Sequence, residues 1–325
     1  MRLTARRETW PVAGAFTISR GTYTSIDVVV VEVEDDAASR GRGECRPYAR
    51  YEQTPESVLA QIESVRARVE SHASRETLRS LLPRGAARNA IDAALWDLEA
   101  KRAGVRAFTL AGLPEPLPTR TAYTISLDRP DAMAQAARAA NRPLLKLKLG
   151  GDGDEDRVLA VRAAVPDATL IVDANEAWTP ATLDRRLDAM AKAHVALVEQ
   201  PLHAAADAAL RAGTSPVPIC ADESCHGLEG LDAVLERYDA VNVKLDKTGG
   251  LTEAIEVVRR AREMGRKVMV GCMLGTSLAM APARLLASLS DFVDLDGPLL
   301  LARDREHGLE YDGALVGVPS ARLWG

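Results

Sequence analysis

No stretch of this chain approaches the roughly 20 consecutive apolar residues that a membrane-spanning helix needs. The opening MRLTARRETWPVAG carries arginines but no apolar segment of signal-peptide length. A cytoplasmic protein with no membrane partner is the expectation. Cysteine is scarce: Cys45, Cys220, Cys225 and Cys272 are the whole supply, and none pair as CxxC. Reduced thiols are expected rather than a disulfide framework. The five histidines, His72, His194, His203, His226 and His307, contain no HxxxH pair, which argues against zinc. A basic stripe is also missing, and the formal net charge of −5 argues against a nucleic-acid surface.

What remains is an ordinary globular composition, 47% hydrophobic and 27% charged over 325 residues. That length accommodates a barrel of about 250 residues plus a smaller domain of about 100. Residues 1–112 read as an α+β domain. FTISR and SIDVVVVEVED have strand character, and the punctuated GRGECRPYARYEQ reads as a loop. Thr54 followed by Glu56 and Ser57 opens a helix with a capping-box pattern. GAARNAIDAALWDLEAKRAG reads as an amphipathic helix ended by Gly104. From Arg120 the pattern alternates, with strands expected near 120–125, 144–149, 169–173, 195–199, 217–221, 240–245, 268–272 and 292–295 and helices in the gaps. Such alternation predicts a closed parallel barrel over 113–300. The segment 301–325 lacks a helix pattern and is expected to pack back on the first domain.

The chemistry sits at strand ends. LLKLK, TLIVDAN, ALVEQP, PICADES and DAVNVK each run out at a reactive residue: Lys148, Asp173, Glu199, Asp222 and Lys244, in steps of 25, 26, 23 and 22 residues. Each step is one strand, one helix and two loops, so the barrel register gathers all five at its carboxyl-end face, where such barrels build active sites. Three hard carboxylates on adjacent strands suit magnesium, with positions left open for substrate oxygens. Lys148 and Lys244 stand on opposite walls, expected with pKa values lowered toward neutrality. Two such bases across a metal-held carboxylate suit removal of an α-proton from one face and its return on the other.

KLK, DANEAW, VEQP, ADES and VNVKLDKTGG together resemble the enolase superfamily in its muconate-lactonizing-enzyme subgroup, a superfamily whose lysine-plus-magnesium chemistry is well characterised. The resemblance implies a modified (β/α)7β barrel behind a capping domain. It implies that Asp173, Glu199 and Asp222 bind one Mg2+ per subunit, with Mn2+ as a substitute ion, and that Lys148 and Lys244 are the acid/base pair. Lys146 would steady the substrate carboxylate, and Asn175 and Glu223 would brace the ligands from behind. The same core serves cycloisomerases, N-acylamino acid racemases and dipeptide epimerases, so the barrel does not choose among them.

The eighth strand does more. Asp294 and Asp296 in DFVDLDG face one side, a receptor for a cation such as the free ammonium of a dipeptide. This DxD, with Thr124 in YTIS and Cys272 in GCMLGTS, resembles the epimerases that act on L-Ala-D/L-Glu dipeptides in murein peptide recycling. Arg20 in ISRGTYT is the candidate partner of a glutamate side chain, with Arg46 and Arg50 behind it. Tyr48, Tyr51 and Trp178 read as packing or lid walls, and Gly249 and Gly250 as a turn. The expected activity is epimerisation of a dipeptide's C-terminal residue. N-acylamino acid racemase or cycloisomerase is the alternative, and a homo-oligomer is compatible with the fold.

Overall fold

The computed structural model describes all residues from Met1 to Gly325. The first strands, β1 (Arg2–Ile18), β2 (Gly21–Glu34) and β3 (Arg40–Cys45), form one antiparallel sheet in that order. β1 is far longer than FTISR alone. Its charged half pairs with β2 and places Arg6 and Arg7 in ion pairs with Glu32 (2.8 Å) and Asp27 (2.7 Å). β3 corrects the reading of GRGEC as a loop. A Cβ on Gly41 would lie 2.0 Å from the Ala94 carbonyl oxygen, and one on Gly43 2.1 Å from that of Ala90. These glycines let a strand lie against a helix backbone; they do not mark a turn.

That helix is α3 (Ala86–Ala103), following α1 (Pro55–Glu70) and α2 (Arg75–Leu81). Thr54 and Ser57 close the capping box of α1, and Gly104 ends α3 at φ 64°. The polar stripe of α3 is buried against the barrel rather than solvated. Arg88 pairs with Glu253 at 2.6 Å, Asn89 donates to Asp246 at 2.8 Å, and Trp96 donates its indole N–H to Thr252 at 3.0 Å. Gly249 and Gly250 make their turn under the same helix, and Arg88 donates to the Gly249 carbonyl at 3.1 Å.

After the short β4 (Thr119–Arg120) come eight parallel strands: β5 (Tyr123–Ile125), β6 (Leu144–Lys148), β7 (Thr169–Asp173), β8 (Val195–Glu199), β9 (Ile219–Ala221), β10 (Ala240–Val243), β11 (Lys267–Gly271) and β12 (Phe292–Asp294). The ring is joined between its first and last strands by the Ala122 N–H donating to the Val293 carbonyl at 2.8 Å. The connection between β8 and β9 departs from the expected helix and carries only a 3-10 turn at Ala204–Ala206. Beside it Asp207 accepts from Ser224, Tyr238 and Arg237, a tertiary knot in place of a helix ladder.

Side chains alternate along each strand, and the barrel interior follows from that. Ala122, Leu144, Ile171, Leu197, Cys220, Ala240 and Met269 make an apolar plug. Two residues further along each of these strands stand Thr124, Lys146, Asp173, Glu199, Asp222, Asn242 and Gly271. One step of the alternation separates a hydrophobic floor from a charged layer. The last segment adds β13 (Tyr311–Asp312) and β14 (Leu315–Val316), which pair onto β4. Trp324 then donates to the Ala93 carbonyl at 3.0 Å and the Gly325 N–H to Asp97 at 2.7 Å, both on α3. No helix is long and apolar enough to cross a membrane.

Candidate active site

A cavity lined by residues of both parts of the chain opens where the barrel mouth meets the first domain. Lys148, at the end of β6, and Lys244, just past β10, both line it and are 8% and 6% exposed. The two strands are four apart in an eight-stranded ring, which sets the lysines on opposite walls. Lys146 is buried beneath them, its ammonium 2.7 Å from Glu199, 2.7 Å from Asp294 and 3.3 Å from Asp173. Lys148 pairs with Asp173 at 2.6 Å and Lys244 with Asp222 at 2.6 Å.

The expected lowering of the Lys244 pKa is not what its surroundings produce. Burial pulls Lys244 down, but Asp222 and Glu199 outweigh it and raise it above the ordinary value; Asp294 and Glu199 do the same to Lys146. The dominant neighbours are acids, not cations. Among the acids, burial raises Asp173, but Lys148 and Lys146 reverse that and hold it below the usual carboxylate range. Lys244 and Lys247 do so for Asp222 against its burial. Glu199 goes the other way, pushed up to about 7 by burial and by Asp173.

The three carboxylates do not converge on one point; their oxygens are turned onto the ammonium groups. Their chemistry nonetheless fits a hard divalent cation. Glu199 is fully buried, and its Oε2 lies 2.7 Å from Lys146 without hydrogen-bond geometry, leaving that oxygen with no hydrogen bond. Asn175 Oδ1 and Glu223 Oε2, from the loops after β7 and β9, are likewise buried without a partner. Buried, unsatisfied oxygens at the ends of three adjacent strands are hard donors of the kind magnesium takes. The backbone after β7 and β8 is left-handed at Asn175 (φ 44°), Glu176 (φ 66°) and Gln200 (φ 32°). Strain of this kind clusters at functional sites.

Further round the wall, Asp296 accepts the Thr124 N–H at 2.6 Å, while Asp294 gives Oδ2 to Lys146 and keeps a buried Oδ1 with no partner. Burial and Asp294 push Asp296 up to about 7. Cys272 lines the same wall as a thiol raised by burial. Tyr48 and Tyr51 form part of the wall on the first domain's side, whereas Trp178 lies away from the cavity and donates to Asp154 at 2.8 Å. Arg20 reaches the rim, where it pairs with Glu223 at 2.7 Å. Arg50 is held by both oxygens of Glu176 at 2.7 Å.

Three contributors escaped the sequence reading. Lys247 pairs with Asp222 at 2.5 Å, Asn242 donates to Glu199 at 2.7 Å, and Gln200 accepts the Asp222 N–H at 2.9 Å. Two carried a local signal: Asn242 precedes Lys244 by one strand alternation, and Lys247 follows it by one helical turn. Gly271 belongs with them, because a Cβ there would lie 2.4 Å from the Asn242 side-chain oxygen.

Residues 1–112 match the mandelate racemase / muconate lactonizing enzyme N-terminal domain, and residues 131–319 match the family described as enolase C-terminal domain-like. The chain is 48% identical to the L-Ala-D/L-Glu epimerase of Escherichia coli K12, over 94% of this chain and 95% of the relative. It is 43% identical to an N-acetyl-D-glutamate racemase of a Pseudoalteromonas species, over 91% and 95%. Among solved structures, an enolase family member from Agrobacterium tumefaciens with homology to dipeptide epimerases, holding sodium and L-Ala-L-Glu, aligns with a TM-score of 0.96. That pair shares 52% identity over 99% of each chain. A dipeptide epimerase from Enterococcus faecalis, complexed with magnesium and L-Leu-L-Tyr, aligns at 0.89 with 28% identity over 98% of this chain and 96% of that one.

Proposed function

The chain belongs to the mandelate racemase / muconate lactonizing enzyme family of the enolase superfamily, and on that premise we propose that it is an isomerase epimerising the C-terminal residue of L-Ala-D/L-Glu-type dipeptides. The observation that carries this reading is the pair of buried lysines, Lys148 and Lys244, facing one cavity from opposite walls.

A substrate α-carbon between them presents its hydrogen to one lysine and its opposite face to the other. The neutral amine of one takes the proton, and the ammonium of the other returns a proton from the far side, reversing the centre. The two exchange roles for the reverse direction. Asp173, Glu199 and Asp222 would hold magnesium, which when bound supplies positive charge against the negative charge that builds on the substrate carboxylate as the proton leaves. Asp222 and Glu199, if engaged as ligands, would no longer compensate the Lys244 ammonium, and burial would then act to lower its pKa. Lys146 adds a fixed positive charge at the same end.

Specificity for a free amine rests on Asp294 and Asp296, buried carboxylates on one wall that an ammonium would satisfy. The similarity to an N-acetyl-D-glutamate racemase favours a second reading, racemisation of an N-acylated amino acid. Such a substrate brings no positive charge to that wall. The four free cysteines suit the reducing cytoplasm, where this reading places the enzyme.

Incubation of L-Ala-L-Glu or L-Ala-D-Glu with the enzyme and magnesium in deuterated water is expected to place deuterium at the glutamate α-carbon of the epimerised product. Unchanged stereochemistry in every Ala-Glu isomer would overturn the assignment.

A further inference from the structure

We propose that Asp207 and Tyr238, which lie outside the cavity, are positioning residues for the metal: acting through Gln200, they fix the backbone from which Asp222 presents its carboxylate. This rests on Asp222 being a magnesium ligand, as in the reading above.

The connection from β8 to β9 is the one barrel crossover without an α-helix. Tyr238, just past the helix Leu231–Arg237, is fully buried and donates its hydroxyl to Asp207 of that connection at 2.8 Å. Ser224, in the loop after β9, donates to the same oxygen of Asp207 at 2.6 Å. Arg237 holds the other oxygen at 2.7 Å.

The protons of this knot run one way. An ionised carboxylate only accepts, so both hydroxyls spend their protons on Asp207. Their oxygens are then acceptors for the Gln200 amide nitrogen, at 3.0 Å for Tyr238 and 2.9 Å for Ser224. The Leu202 carbonyl accepts from the same nitrogen at 2.8 Å. One orientation of the amide is left. Its Oε1 faces the other way and accepts the N–H of Asp222 at 2.9 Å and that of Ser224 at 3.1 Å. Reversing the amide would set its NH2 against those two N–H groups and its oxygen against the Leu202 carbonyl, leaving polar groups unpaired.

The main chain of Gln200 is already committed. Its φ is 32°, its N–H donates to the Cys220 carbonyl at 2.9 Å, and its carbonyl accepts from Glu176 at 2.9 Å. The side chain is the adjustable part, and the knot sets it. Asp222 stands one residue past the last paired residue of β9, where Gln200 rather than a neighbouring strand holds its N–H. Groups that orient a metal ligand from behind are worth about 10- to 100-fold in metal affinity. A knot that only closes the crossover would contribute to stability and leave that affinity alone.

The test titrates magnesium into metal-free enzyme by calorimetry, with thermal unfolding in chelator as the measure of stability. Y238F keeps the ring and removes the hydroxyl, and it is expected to weaken magnesium binding by about tenfold or more. Raising magnesium should bring its kcat for L-Ala-L-Glu back toward the wild-type value. S224A removes the other hydroxyl and is expected to act in the same direction; it carries the test should Y238F fail to fold. R237Q frees only the second oxygen of Asp207, and is expected to lower the melting temperature while changing magnesium affinity about threefold or less. Unchanged affinity in the folded hydroxyl variants, with only the melting temperature lowered, would overturn the proposal and make the knot a structural closure. Equal weakening in R237Q would do the same, by tracing the effect to loosening rather than to the amide. Wild-type enzyme that takes up no magnesium would bring down the metal reading and the proposal with it, an outcome distinct from these.

Discussion

Replacing Asp296 with asparagine separates a receptor for free amines from an acidic turn. Asp296 is buried, and one of its oxygens accepts the Thr124 N–H at 2.6 Å. The side-chain oxygen of the introduced asparagine can keep that bond, so D296N removes charge while leaving the wall intact. Asp294→Asn is the less clean change, because Asp294 also holds Lys146 at 2.7 Å. Removing one partner of a buried charge pair costs about 2–5 kcal/mol. At 1.4 kcal/mol per decade, D296N should reduce kcat/KM for L-Ala-L-Glu by roughly 30- to 4,000-fold. N-acetylglutamate has no ammonium to lose and should change about threefold or less. Deuterium exchange at the α-carbon, followed by NMR for both compounds in parallel, reads the two factors. The carboxyl is pushed up to about 7 by burial and by Asp294, so the charged receptor forms as pH rises through that value. Wild-type kcat/KM for the dipeptide should therefore climb between about pH 6 and 8, and D296N should lack that limb. Equal losses for the dipeptide and the N-acetyl compound would refute the reasoning and favour the racemase reading.

Lys148→Met and Lys244→Met should each abolish epimerisation while leaving α-deuterium exchange in only one of the two Ala-Glu epimers, a different one for each variant. Retention of exchange in both epimers by either variant would remove that lysine from the proton path. Titration calorimetry with magnesium should give a binding isotherm for the wild type and weakening of roughly tenfold or more in E199Q, the loss of one hard ligand; identical isotherms would place the ion elsewhere. Asp92, fully buried against Thr252, is pushed up to about 6 by burial from the ordinary 3.8. A raised carboxyl favours the folded state at low pH, and that contribution fades as pH rises through about 6, by up to about 3 kcal/mol. Urea unfolding should therefore show the wild type losing that much relative to D92N between about pH 4 and 7; parallel pH profiles for the two would contradict the burial argument.

The spacing of reactive residues along the chain is a local property, and it carried far. Successive steps of 25, 26, 23 and 22 residues are the length of one strand-to-strand unit, and alternation along each strand decides which side chains face the axis. The gathering of Lys146, Asp173, Glu199 and Asp222 was legible for that reason, as were Lys148 and Lys244 on facing walls. The capping box at Thr54 and the stop at Gly104 were legible too, because a cap is written within four residues. Tertiary structure decided everything that depended on which distant surfaces meet. Gly41 and Gly43 read as a loop until α3 was seen lying against their backbone. Lys244 read as a depressed base until its nearest neighbours proved to be acids. Arg20 and Arg46 look alike in the sequence. They differ because one finds Glu223, 203 residues on, whereas the other meets Asp246, 200 residues on, only through its backbone. Contacts across such separations follow from how the first domain seats on the barrel, and no periodicity within either segment encodes them.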